Sequence, residues 1–265
     1  MSDRLAVRSE LQGSVLVLIL DRGSKANTLT PTDMAWIADS VAGAVTDDAV
    51  RAVLIRAEGD HFCGGADLVA VNSPDARPRT GATMRMLNSA AHRMVQSIWD
   101  CTLPTVAAVQ GRAAGVGLHL ALATDFVVAA DSASFQEPFR ERGFTADSGA
   151  TFLLPRLVGL ARAKELLLLG RTLTAADALT WGLISQVHHD DELGAESFAL
   201  AEELAGGPTF SMELTKSMLN KHVTTDLASS MSEEAAIVQL SLHGQDFKEG
   251  IKAFRERRPA EFTGR

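Results

Sequence analysis

The fold turns on Gln110 to Asp125, Q-G-R-A-A-G-V-G-L-H-L-A-L-A-T-D. Before it, Pro104 to Val109 is a short apolar run with tight bounds, which reads as a buried strand. After it, the leucines and alanines of Val116 to Ala123 suit a short buried helix. Gly111, Gly115 and Gly117 lie between them, where glycine permits tight turns and a close approach of backbone to another group. A helix that starts near Val116 leaves its first amide protons without intrahelical acceptors, so they are available to an anion or a developing oxyanion. The plainer reading is a strand-to-helix turn in which glycine serves packing alone.

A second strand and glycine-rich turn supplies a possible partner. Val53 to Arg56 reads as a strand and runs into Glu58-Gly-Asp-His-Phe-Cys-Gly-Gly-Ala-Asp67, which can present an amide near Ala66. Two such turns are what a pair of convergent N–H donors requires.

Four stretches now carry a family resemblance: H-F-C-G-G-A-D-L at 61–68, A-V-Q-G-R-A-A-G-V-G at 108–117, L-P-R-L-V-G at 154–159 and E-G-I-K-A-F-R-E-R-R-P-A-E-F at 249–262. In this order and spacing they resemble the enoyl-CoA hydratase/isomerase (crotonase) superfamily over nearly the whole chain. The resemblance implies an α/β fold: a crotonase-type ββα spiral core over residues 1–200 with an acyl-CoA site, then a helical C-terminal trimerisation region over 201–265. It also implies a homotrimer or hexamer, with coenzyme A present only as part of the substrate.

Composition agrees with a globular protein that has a sizeable core. The 265 residues are 46% hydrophobic with a net charge of −8, which disfavours a nucleic-acid surface. Two cysteines, a polar start and the lack of a long apolar run lead to the expectation of a soluble cytoplasmic protein with free thiols and no membrane contact.

Along the chain, hydrophobic pattern predicts strands at 5–8 and 15–20 joined around Gly13, then a helix opened by Thr30-Pro31 and reaching about Ala44. It also predicts an irregular loop over 71–80, one helix over 84–100, strands at 126–129 and 134–136, and helices at 161–169, 175–180, 191–203, 208–219 and 246–257. Strands alternating with helices indicate a mainly parallel sheet.

The resemblance implies that the backbone amides of Ala66 and Val116 hold the thioester oxygen, with Lys25, Ala66, Asp67 and Leu68 along the coenzyme-A portion. It implies, too, that a hydratase would carry carboxylates at 119 and 139. This chain has His119 and Phe139, so water addition by the two-acid route lacks both groups. Asp147 falls where enoyl-CoA isomerases of the superfamily carry a catalytic acid, with Phe139 and Phe144 as candidate apolar walls. Its alternative role is a helix N-cap before Ser-Gly-Ala.

His119 reads either as a proton-transfer group or as a packed histidine that fills the space of the missing carboxylate. His92 and Asp147 together match positions used by 4-chlorobenzoyl-CoA dehalogenases, a second possible chemistry. A silent acyl-CoA-binding paralogue is a third. Arg22, Lys25, Arg56 and a neighbouring subunit's Lys252 are candidate phosphate partners. No histidine spacing suggests a metal site, and the glycines match no dinucleotide or phosphate-loop pattern.

Overall fold

The computed structural model describes residues 5–67 and 79–265. Its main sheet has six strands: β1 (Val7–Gln12), β2 (Val15–Leu20), β3 (Ala52–Ala57), β4 (Thr105–Val109), β6 (Phe126–Ala130) and β9 (Gln186–His188), in that spatial order. Only the β1–β2 pair is antiparallel; every later pair is parallel. The hairpin closes at Gly13, whose φ of +58° is the positive value such a two-residue loop needs at its first position.

Strand residues alternate between two buried layers, as the period of two requires. Leu18, Leu20, Val53, Ile55, Ala107, Val109, Val127 and Ala129 face the larger core. Their neighbours Val17, Ile19, Leu54, Val106, Ala108 and Val128 face the other side. That side is covered by the helix Leu193–Ala205 through Leu193, Ala201 and Ala205.

A second sheet stands apart, with strands β5 (Arg112–Ala114), β7 (Ser134–Gln136) and β8 (Thr172–Thr174). Strand, short strand and helix thus recur as the expected ββα turns. No helix among the described residues is long and apolar enough to cross a membrane.

Helix α1 (Pro31–Ala44) begins as its sequence predicts. Thr30 accepts from the Asp33 amide while the Asp33 carboxylate accepts from the Thr30 amide, forming a capping box behind Pro31. Buried Asp33 also accepts from the Ala6 amide at 2.8 Å and pairs with Arg22 at 3.3 Å, so the cap locks the first strand and the following loop to the helix.

The single helix expected over 84–100 is two: α2 (Ala82–Ser89) and α3 (Ala91–Trp99), broken at Ala90 with φ −124° and ψ −88°. The break has a packing reason. Met94, Val95 and Ile98 of α3 enter the core, whereas α2 buries none of its residues and turns Met86 and Leu87 toward a cavity. One straight axis cannot serve both.

Helix α4 (Val116–Leu122) is buried at every residue, and α5 (Phe139–Arg142) is a single turn after β7. Helix α6 (Ala150–Leu169) contains the helix expected at 161–169 and extends it toward the N-terminus, with a non-helical residue at Gly159. Helices α7 (Ala175–Trp181), α8 (Leu193–Ala205), α9 (Thr209–His222), α10 (Leu227–Ser241) and α11 (Gln245–Glu256) complete the chain. Of these, α10 lacks a sequence signal in its apolar pattern, because Leu227, Met231, Val238 and Leu240 are all exposed. Its cap was available: Asp226 accepts from the Ser229 amide.

Candidate active site

Two loops are laced together at one end of the parallel strands. The Phe62 amide donates to Gln110 O, the Cys63 amide to Arg112 O, and the Ala114 amide back to Cys63 O. Glycine makes that approach possible. A Cβ on Gly117 would lie 2.6 Å from the Cys63 carbonyl, Cβ and Sγ, and one on Gly111 only 1.9 Å from Asp60 O. The sulfur of Cys63 is sealed here. Burial pushes its thiol up to about 12, with a hydrogen bond from the Gly65 region opposing the shift.

This lacing positions two amides. Leu29 forms a parallel bridge with Ala66, using the Leu29 amide to Gly65 O and the Asp67 amide to Leu29 O. In that pattern the Ala66 N–H points away from the bridge. At the other loop, Gly115 is the N-cap of α4 with φ +54°, and its amide donates to Gln136 O. The first intrahelical bond there is made by the His119 amide, leaving Val116 N–H free of it. Neither Ala66 N–H nor Val116 N–H has an acceptor among the described residues.

Both residues line one cavity of about 580 Å³, a size suited to a small-molecule group. Asp147, Ser148, Phe139 and Phe144 line it as well, and Leu29, Met34, Met86 and Leu87 supply an aliphatic surface. Asp147 is half-buried, and its carboxylate has no partner among the described residues. The helix-cap alternative is not realised: Gly149 is the N-cap of α6, without a side-chain cap, and Asp147 contributes only its carbonyl to the Ala150 amide.

The structure places His119 elsewhere. Its side chain is fully buried, and Nε2 lies 2.9 Å from Oε1 of the equally buried Glu137. The ring of Phe139 stacks on it, with centroids 6.0 Å apart and planes 13° from parallel, and Phe144 meets Phe139 edge-on at 5.3 Å. Phe139 and Phe144 line the cavity, while His119 is not among its lining residues. Nothing in the local pattern pairs His119 with Glu137, which are 18 positions apart. The missing signal was the turn at Pro138, which sends Phe139 forward and Glu137 back.

His92 is half-buried on α3 and bonds Asn88 at 3.0 Å; it too is not among the residues lining the cavity. Lys25 is two-thirds exposed and stands 4.0 Å from the Asp67 carboxylate. Leu68 lies outside the described residues, as does most of the loop expected over 71–80. Of the candidate phosphate partners, Arg22 is engaged by Asp33 and Thr28 O, and Arg56 by Glu10.

Comparison with known proteins identifies the family. A family profile described as enoyl-CoA hydratase/isomerase matches residues 10–265. The chain is similar to the 1,2-epoxyphenylacetyl-CoA isomerase of Escherichia coli (strain K12), 35% identical over 262 residues and 98% of each chain. It is similar as well to the crotonyl-CoA hydratase of Syntrophomonas wolfei, 32% identical over 97% of each. Among solved structures, an enoyl-CoA hydratase from Polaromonas sp. JS666 superposes with a TM-score of 0.90 at 29% identity, covering 97% of this chain and 99% of that one. With its two laced loops, parallel sheet and full-length match, the chain belongs to the enoyl-CoA hydratase/isomerase family.

Proposed function

We propose that this enzyme shifts a carbon–carbon double bond in an enoyl-CoA by a proton shuttle on Asp147. The observation that carries the reading is the convergence of Ala66, Val116 and Asp147 on one largely apolar cavity. The thioester oxygen accepts from the two free amides, which stabilise the negative charge that develops as the enolate forms. Asp147 takes a proton from the carbon skeleton and returns it at another carbon, so one carboxylate suffices. The substrate's coenzyme-A portion runs past Lys25, Ala66 and Asp67, and no separate cofactor enters.

His119 serves from behind the wall, where its bond to Glu137 orients the turn carrying Phe139. The absence of carboxylates at 119 and 139 weighs against hydration, although relatives named as hydratases keep that reaction as the second reading. An aromatic substitution using His92 loses support because that ring does not line the cavity.

Exposed Leu219, Leu227 and Phe254 on the C-terminal helices support burial of this region, 201–265, between copies in a cytoplasmic homotrimer or hexamer.

The test is incubation with 3-enoyl-CoA and 2-enoyl-CoA, following appearance of the conjugated thioester and hydration separately. Conversion of 3-enoyl-CoA without hydration is the expected result. An untouched 3-enoyl-CoA in protein that still binds coenzyme A would leave a silent binding protein.

A further inference from the structure

Two of the side chains that line the cavity carry charge, Asp147 and Arg142. The proton shuttle uses the first and gives the second no role. Arg142 closes the single turn of α5, three residues after Phe139, and residues at that spacing project from one helix face. Both of them line the cavity. The two charged residues between them do not, and each is occupied: Arg140 donates to Leu169 O at 3.4 Å, and Glu141 accepts from Gln136 Nε2 at 3.0 Å. The Arg142 guanidinium has no hydrogen bond or ion pair among the described residues, Asp147 included.

Packing alone would favour an apolar side chain on the face that Phe139 begins. A guanidinium there is a fork of donors without an acceptor, and a carboxylate matches that fork with two parallel bonds. Arg142 is exposed as well, so it stands where the cavity meets solvent. A carboxylate held at that edge keeps part of its hydration, which lowers the cost of forming the pair.

The thioester oxygen is assigned to the Ala66 and Val116 amides, and coenzyme A to the side of Lys25 and Asp67. Arg142 belongs instead to the segment 138–148, the wall that carries Asp147 and meets the acyl carbons. We propose that Arg142 is a specificity residue that pairs with a carboxylate at the far end of the acyl chain, so that the preferred substrates are coenzyme-A monothioesters of dicarboxylic acids. This rests on the acyl-CoA reading of the cavity. The chain is then fixed at both ends, with its reacting carbons held between them beside Asp147.

Titration calorimetry tests this on the full-length protein with coenzyme A and with matched saturated thioesters: pentanoyl- and glutaryl-CoA, hexanoyl- and adipoyl-CoA, octanoyl- and suberoyl-CoA. The same series is run on Arg142→Gln, and on Arg140→Gln, which removes the same charge from another face of the turn. Wild-type protein is expected to bind at least one carboxylated ligand about tenfold more tightly than its plain partner, the scale of one charge-assisted pair. In Arg142→Gln that ratio falls to one or below, whereas Arg140→Gln keeps it. A wild-type ratio of one or less for every pair overturns the proposal, and so does a ratio that survives Arg142→Gln or is lost equally in Arg140→Gln. If Arg142→Gln instead weakens coenzyme A and every thioester alike, the guanidinium meets a phosphate of coenzyme A and the proposal is equally overturned. Each of these results leaves the acyl-CoA reading standing. If neither coenzyme A nor any thioester binds the wild-type protein, that reading itself falls and takes the proposal with it.

Discussion

His119 Nε2 and Glu137 Oε1 are 2.9 Å apart, and neither side chain has any exposure to solvent. The second polar atom of each, His119 Nδ1 and Glu137 Oε2, is buried without a partner among the described residues. The pair joins α4, whose first residue carries one of the two free amides, to the turn that carries Phe139. Breaking it from one side leaves a polar group buried alone, so Glu137→Ala or His119→Ala should each destabilise the protein by about 3 kcal/mol. Replacing both by alanine should cost less than the two single changes added together. Urea denaturation at one fixed protein concentration measures this, and strictly additive losses would show that the two side chains are not coupled.

Asp147 tests the chemistry directly. Asp147→Asn keeps the shape and removes the base, so turnover of 3-enoyl-CoA should fall by roughly 10²–10⁴-fold. Because the amides of Ala66 and Val116 are backbone groups, binding of the substrate should change much less than turnover. Single-turnover kinetics beside equilibrium binding separates the two, and retained turnover would remove Asp147 from the mechanism.

Gly117 tests the lacing. A methyl group there meets Cys63 at 2.6 Å from three atoms, of which the carbonyl oxygen and Cβ belong to the opposing loop's rigid part. Gly117→Ala should therefore destabilise by about 1–3 kcal/mol. It should also lower kcat more than affinity, because the Val116 amide would shift relative to Ala66. A stable variant with full turnover would mean that the loops have slack.

The two thiols give a pH prediction with a definite sign. Burial raises Cys63 to about 12 and Cys101 to about 11, the latter with Lys216 opposing the shift. Both stay protonated in the folded protein, whereas the unfolded chain ionises near 9.0. The unfolded state therefore holds fewer protons above that value, and the stability is complete below pH 9 and declines as pH rises toward 11 and 12. Each thiol lowers it by about 1.4 kcal/mol per pH unit in that window. A disulfide reagent at pH 8 should leave both cysteines untouched in native protein and label both after denaturation. Rapid labelling of Cys63 in native protein would show that its loop opens.

How much of this was legible beforehand differs from one residue to the next. Thr30, Pro31 and Asp33 announced their helix because a cap is a local device, complete within four neighbouring residues. The strand periods of 15–20 and 126–129 were readable for the same reason, and the glycines of 111–117 marked a close approach without naming what approached. The family motifs then brought Ala66, Val116 and Asp147 to one site, and the structure sets all three around one cavity.

What the chain's order of residues could not contain is direction. His119 and Phe139 occupy the two positions at which the family resemblance expects acids, yet one turns into the core to meet Glu137 and the other turns outward to line the cavity. The break at Ala90 and the buried, unpaired hydroxyl of Ser148 were equally hidden. Local pattern fixes which segments curl and which extend, because those preferences arise among near neighbours. Which way a side chain faces is settled by whatever the rest of the folded molecule packs against it, and that depends on contacts between residues far apart in the chain.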